Sequence, residues 1–317
     1  MAMSTDFPTE KDILEASAYL KGKVHETPIF SSGFLNQMLE AELYFKAEHL
    51  QKTGSFKARG ALFALHKAGS LAARGVVTHS SGNHGQALAW AALKSGVQAH
   101  VVMPENAPLV KKQAVAAYGA SIHFCESTLE ARESKCNQLK HDLGLYFIPP
   151  YNDYHVICGQ STMMQECLHQ LPDLDAALIP VGGGGLFSGS LLANVFAQSK
   201  IEMWGAEPQA VNDAWRSLNC GERQTQNHGF TIADGLRTVL GERNFPIIHQ
   251  LAKGIYTAEE NTIVLALRHI YTYLKQAVEP SAAVSFAALL ENRDYFKGKK
   301  VLLILCGGNV ELSNLPF

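Results

Sequence analysis

The chain has almost no net charge: 27 Lys and Arg stand against 29 Asp and Glu, a formal −2 over 317 residues. That balance excludes a whole-chain electrostatic attraction to nucleic acid or to an anionic membrane, so neither is expected as a partner. Charged residues make up 18% and hydrophobic residues 47%, the range of ordinary globular proteins. There is no apolar run of about 18 residues, so no transmembrane helix is predicted. The opening MAMSTDFPTEKDILEA has no signal-peptide core, and a cytoplasmic location is expected. The cysteines, at 125, 136, 158, 167, 220 and 306, form no C-x-x-C pair and no zinc spacing. Reduced, mostly buried thiols are the expectation. Thirteen histidines include no H-E-x-x-H. Internal repeats and low-complexity stretches are also missing.

What is present is alternation. ELYFKAE (42–48), GVVTHS (75–80), QAHVVMP (98–104), SIHFC (121–125), AALIPVG (176–182), EMWGAEP (202–208) and KKVLLILCGG (299–308) read as strands. Helical patterns lie between them, at SFKARGALFALHKAG (55–69, opened by Ser55), NHGQALAWAALKSG (83–96) and a charged stretch near 127–143. Continuous apolar strands alternating with helices predict a buried parallel sheet in an α/β fold, with helices on both faces. Loops rich in Gly, Ser and Asn follow strands at 80–85, 182–185 and 306–309. Ligands sit at the carboxyl ends of such strands, so the three loops are expected to converge on one site.

Four segments carry chemistry. In VGGGGLFSG (181–189), consecutive glycines sacrifice backbone entropy for close approach and freely aimed N–H groups at a helix start, the make-up of a phosphate cup. The spacing fits neither a nucleoside triphosphate loop nor a dinucleotide fingerprint. KTGSFKARG (52–60) places Lys57 near a helix start between Phe56 and Arg59; a lysine in a dry site with cations nearby becomes a nucleophile for carbonyls. THSSGNHGQA (78–87) runs from a strand through two hydroxyls into a helix, able to cap the helix and to bind a carboxylate. CGGNVEL (306–312) follows an apolar strand, and its cysteine reads alone as buried.

Together, SFKARG, SSGNHG, VGGGG and CGGN resemble the fold type II pyridoxal-phosphate enzymes, specifically the serine racemase and serine/threonine dehydratase branch. The likeness runs from about residue 8 to 312, and GAEP (205–208), IADG (232–235) and VEPSAA (278–283) fit it. The resemblance implies a tryptophan synthase β-like architecture: two open, twisted, mostly parallel sheets flanked by helices. It implies a large cofactor-binding domain (1–78 and 153–317) and a small mobile domain (79–152). It also implies pyridoxal phosphate on Lys57, Phe56 against the ring, Asn83 on the ring hydroxyl, and Gly182, Gly183, Gly184 and Gly185 on the phosphate. Cys306 would lie beside the pyridine nitrogen. Ser80, Ser81, Asn83 and His84 would surround the substrate carboxylate, with Ser81 as a second acid/base opposite Lys57.

A thiol where this family usually has Ser or Thr holds the ring nitrogen less protonated than a carboxylate would. The cofactor is then a weaker electron sink, suited to prompt loss of a β-hydroxyl. The resemblance thus implies an ammonia-lyase converting L-serine or L-threonine to a 2-keto acid and ammonia. Alternatives are a serine racemase with side dehydratase activity, a threo-3-hydroxyaspartate dehydratase using His84, Arg132 or Arg237 for the second carboxylate, and a cofactor carrier without catalysis. GAEPQAVND (205–213) resembles the family's divalent-cation loop, with Glu207, the Val211 carbonyl and Asp213 as ligands to Mg²⁺, Ca²⁺ or Mn²⁺. Relatives suggest a homodimer, some with ATP at the interface, and ATP is carried as a candidate effector. Thr238 stands where racemases often have serine, a change at the substrate pocket. The sequence has no room after its last motif for a regulatory domain, so feedback control by isoleucine is not expected.

Overall fold

The computed structural model describes residues 6–80, 82–107, 109–227 and 229–317. Among the described residues, ten strands form two sheets. The strands are β1 (Ile29–Phe30), β2 (Glu42–Lys46), β3 (Val76–His79), β4 (Ala99–Pro104), β5 (Ser121–Cys125), β6 (Tyr146–Phe147), β7 (Ala176–Pro180), β8 (Glu202–Pro208), β9 (Gly254–Ala258) and β10 (Lys300–Ile304). The six-stranded sheet has the order β1-β2-β10-β7-β8-β9, and the four-stranded sheet β5-β4-β3-β6. Among the pairs of these described strands, β1–β2 is antiparallel and the others are parallel. The expected architecture of two mostly parallel sheets flanked by helices is what the chain adopts.

The apolar runs account for the central strands. All five residues of β7, and Val301 to Ile304 of β10, are buried, as strands covered on both faces must be. The four-stranded sheet begins with β3, so a domain boundary at residue 79 falls at the end of a strand paired to β4 and β6.

Glycines set how closely the helices beneath the site approach. The Lys57–Ala68 and Tyr154–Gln170 helices meet where a Cβ on Gly159 would lie 2.6 Å from the Gly60 Cα. The Gly185–Phe196 helix seats Gly189 in the same way, 2.6 Å from the Ile157 carbonyl. Side chains there would force the three helices apart, and the first of them begins with Lys57.

The expected helix opened by Ser55 starts two residues later. Ser55 is extended and bridges Gly307, while Phe56 occupies the cap position. The pairing to the loop after β10 overrides the local capping signal and draws the 52–60 and 306–309 segments together. The helix expected over 83–96 spans Asn83–Ser95, with Gly96 as its left-handed cap.

Candidate active site

A cavity of about 210 Å³ opens where the carboxyl ends of both sheets face each other. Phe56, Lys57, Ser80, Asn83, His84, Arg132, Gly182, Gly183, Gly184, Gly185, Thr238 and Cys306 all line it, so the three loops do converge. Ser81 lies outside the described residues. Glu207, Val211 and Asp213 do not reach this cavity.

Lys57 is anchored from below. Two residues on, Arg59 is fully buried and donates to both oxygens of Glu48, at 2.8 and 2.7 Å, and to both of Glu166. Lys46 joins the same cluster through Glu166 at 2.8 Å. Burial alone would push Glu48 up, but Arg59 and a 2.6 Å bond from the Thr27 hydroxyl hold it below the ordinary carboxylate value. The Lys57 side chain is half-buried because it opens onto the cavity, yet protein encloses its amine. Burial lowers its pKa to about 8, against the opposing pull of Cys306 and Glu279. The amine donates to the Pro150 carbonyl at 2.7 Å and lies 4.9 Å from the centre of the Phe56 ring.

The glycine run is cramped on every side. A Cβ on Gly183 would fall 2.3 Å from the ring of Tyr151, and on Gly182 3.0 Å from the Leu236 Cα. Gly184 has φ +88°, which disfavours any side chain. No side chain caps the Gly185–Phe196 helix, so backbone N–H groups are what this end presents. The Asn83–Ser95 helix is similar: its cap is Gly82, with no side-chain cap bond, and Ser80 Oγ accepts from Gly82 N at 3.3 Å. The hydroxyl cap expected for SSGNHG is therefore not made by the described residues, and the helix start faces the cavity.

His84 is neutral. Burial and then Lys57 hold its pKa to about 3, and its Nε2 donates to the Ile148 carbonyl at 3.0 Å. It cannot serve as a cation for a second substrate carboxylate. Arg237 is also corrected in that role: it donates to the Thr231 carbonyl at 3.0 and 2.7 Å, and it does not line the cavity. Arg132 does line it. So does Lys111, which pairs with Asp234 and was not foreseen. Tyr151, hydrogen-bonded to Thr238, and Glu279 are two more lining residues absent from the sequence reading. Glu279 had a signal: it is an acid immediately before a proline-opened helix, yet it does not cap that helix. Its carboxylate turns inward to Asn83 instead. Burial and then Glu279 keep the Cys306 thiol well above its ordinary range, so it is a neutral S–H.

Glu207 and Asp213 are fully buried side by side. Burial and then Asp213 push Glu207 well up; burial also raises Asp213. Glu207 accepts from the N–H groups of Ala214 and Trp215 at 3.1 and 2.9 Å, and Asp213 from Leu240 N at 2.7 Å. Val211, between them in the chain, is also buried. Among the described residues no cluster of three or more His, Cys, Asp or Glu could hold a metal. Arg216 is the cation whose charge reaches both, yet burial still raises them, and two buried carboxylates are the donor chemistry a hard cation takes.

A buried low-pKa amine, a side-chain-free cradle at a helix start and a second helix start facing it define the class: a site for an anionic carbonyl cofactor that reacts with a lysine. The family model described as pyridoxal-phosphate dependent enzyme matches residues 20–307. The chain is 43% identical to a serine racemase of Dictyostelium discoideum, over 97% of this chain and 96% of that protein. It is 40% identical to a beta-hydroxyaspartate dehydratase of Paracoccus denitrificans, over 98% and 99%. A solved threonine deaminase from T.th. superposes with a TM-score of 0.91 at 40% identity, covering 96% of this chain and 99% of that one. This chain belongs to the pyridoxal-phosphate dependent enzymes of fold type II, in the branch of lyases and racemases. The cavity residues fit the cofactor: the glycine cradle admits no Cβ, and the lysine opposite it is desolvated.

Proposed function

We propose that this enzyme is an ammonia-lyase that dehydrates L-serine and L-threonine to a 2-keto acid and ammonia. The observation that carries the reading is the neutral Cys306 thiol in the cavity wall, where a carboxylate would build a longer-lived electron sink. Pyridoxal phosphate, when bound, supplies the sink that makes the substrate Cα proton removable and lets a β-hydroxyl depart.

The remaining steps fall to the chain's own residues. Lys57 is the amine that holds the cofactor, and with its pKa near 8 it can take and return the Cα proton near neutral pH. Gly182 to Gly185 hold the phosphate through backbone N–H groups, and Phe56 packs beside the ring. Ser80 and Ser81, with the backbone N–H groups of Asn83 and His84 at the start of the Asn83–Ser95 helix, receive the carboxylate, and Thr238 with Tyr151 bounds the side-chain end. The unit containing β3 to β6 is the part that closes over the substrate. Glu207, the Val211 carbonyl and Asp213 take Mg²⁺, Ca²⁺ or Mn²⁺. The enzyme acts as a cytoplasmic homodimer, with ATP as its candidate effector.

One observation favours a second reading. Arg132 lines the cavity beyond Lys57 and beyond Lys111, whose charge Asp234 already matches, and a cation there suits the second carboxylate of threo-3-hydroxyaspartate. Both readings are tested together by supplying L-serine, L-threonine and L-threo-3-hydroxyaspartate and following keto acid and D-serine. Keto acid from serine and threonine supports the proposal. Turnover of 3-hydroxyaspartate alone shifts it to the second reading. D-Serine formed faster than pyruvate replaces both with a racemase, whose second acid/base would be Ser81. No turnover with bound cofactor leaves the carrier.

A further inference from the structure

Four polar groups run through the wall of the cavity in a fixed direction. Asn309 Nδ2 donates to the Thr53 carbonyl at 2.8 Å and to Asn83 Oδ1 at 2.8 Å. Asn83 Nδ2 donates to Glu279 Oε1 at 2.8 Å and Oε2 at 3.1 Å. A backbone carbonyl can only accept, so the Asn309 amide cannot flip at one end. Once Glu279 is ionised its carboxylate can only accept, so the Asn83 amide cannot flip at the other. The surrounding glycines keep the chain taut. A Cβ on Gly54 would strike Asn309 Oδ1 at 2.6 Å, and one on Gly307 would strike Glu279 Oε1 at 2.6 Å.

We propose that Glu279 is a positioning residue. Together with Asn309 on the oxygen side, it pins the Asn83 amide so that the nitrogen, with its remaining N–H, and not the oxygen serves the cavity, the donor that an anionic ring oxygen of the cofactor needs. The inference rests on the reading that this cavity holds pyridoxal phosphate with Asn83 at the ring oxygen. The Glu279 carboxylate also takes the Asn309 backbone N–H, and so ties the loop after β10 to Asn83. Glu279 stands at the cap position of the Pro280–Glu291 helix without capping it, and it reaches inward instead. Among the described residues, the charged or titratable groups that act on it, Asp234, Lys111, Lys57 and Cys306, all line the same cavity. Burial and then Asp234 raise its pKa to about 7, so its ionisation changes near neutral pH.

The test uses the holoenzyme and two variants, Glu279→Ala and Glu279→Gln. The glutamine oxygen can still accept from Asn83, whereas alanine cannot. Removing the cofactor and titrating it back gives its dissociation constant, and the visible absorption of the bound cofactor is followed from pH 5 to 9. Glu279→Ala is expected to weaken cofactor binding at least about tenfold, and Glu279→Gln to restore most of it. The pH-dependent change in the visible band near pH 7 is expected in the wild type and absent from both variants. If Glu279→Ala does not fold, the loss of that pH response in Glu279→Gln carries the test. Wild-type affinity in Glu279→Ala, or an unchanged spectral midpoint in Glu279→Gln, overturns the proposal. A wild type with no visible cofactor band overturns the underlying reading instead, so the two failures are distinguishable.

Discussion

Adding a divalent cation to the apo protein should raise its melting temperature, and the gain should disappear in Asp213→Asn. Glu207 and Asp213 are both fully buried, and burial together with their proximity makes their shared ionisation costly. A cation between them removes that repulsion. For a ligand at about 100 times its dissociation constant, linkage gives about 2.7 kcal/mol of added stability. At about 2.1 cal/mol/K per residue, a chain of this length unfolds with an entropy near 0.7 kcal/mol/K, so the melt should move up by about 4 °C. The assay is calorimetry in chelator, then in Mg²⁺, Ca²⁺ or Mn²⁺, with ATP added in a separate run. The gain should shrink near pH 5, because binding must displace protons held on raised carboxyls. Equal shifts in wild type and Asp213→Asn, or no shift with any of the three ions, refute the reasoning.

Three other outcomes follow from the geometry. Glu48→Gln leaves Arg59 short of a buried partner and should destabilise the fold by about 3–5 kcal/mol in denaturant unfolding. Because the folded-state pKa of Glu48 is lowered, its contribution is present above the ordinary carboxylate value and fades as pH falls, so wild type and variant should converge in acid; a constant difference would contradict this. Gly183→Ala should cost about 1–3 kcal/mol through collision with the Tyr151 ring, and Tyr151→Ala in the same chain should recover part of it; no recovery would assign the glycine to phosphate contact alone. In the apo protein, Glu279 binds a proton in the folded state between the ordinary 4.5 and about 7, so its contribution favours folding at low pH and is lost as pH rises through 7. That shift corresponds to about 3 kcal/mol, and Glu279→Gln should remove this slope from stability measured between pH 4.5 and 7.

The strands and the converging loops were legible because each depends on a local signal: apolar runs for β7 and β10, glycine and asparagine runs after them. The start of the Lys57 helix was misplaced because Ser55 pairs with Gly307, a contact some 250 residues away that no local capping rule contains. His84 looked like a cation in sequence and is neutral in the fold, since its charge is decided by burial and by Lys57. Lys111 and Tyr151 were invisible for a related reason. Each sits in a segment with an ordinary helix or loop pattern and becomes a cavity residue only when the two sheets face each other. Glu279 lay in plain view in VEPSAA. Only the unused cap position and the bond to Asn83 show what it touches.

The central claim is that Lys57, seated on the buried Arg59 cluster and facing the glycine cradle, is the residue that holds pyridoxal phosphate. Borohydride reduction of the holoenzyme fixes the cofactor to its amine, and peptide mass mapping then locates it. The added mass is expected on Lys57, with its complete loss in Lys57→Ala. Added mass on another lysine such as Lys111, or none in a protein that carries the cofactor, would contradict the claim.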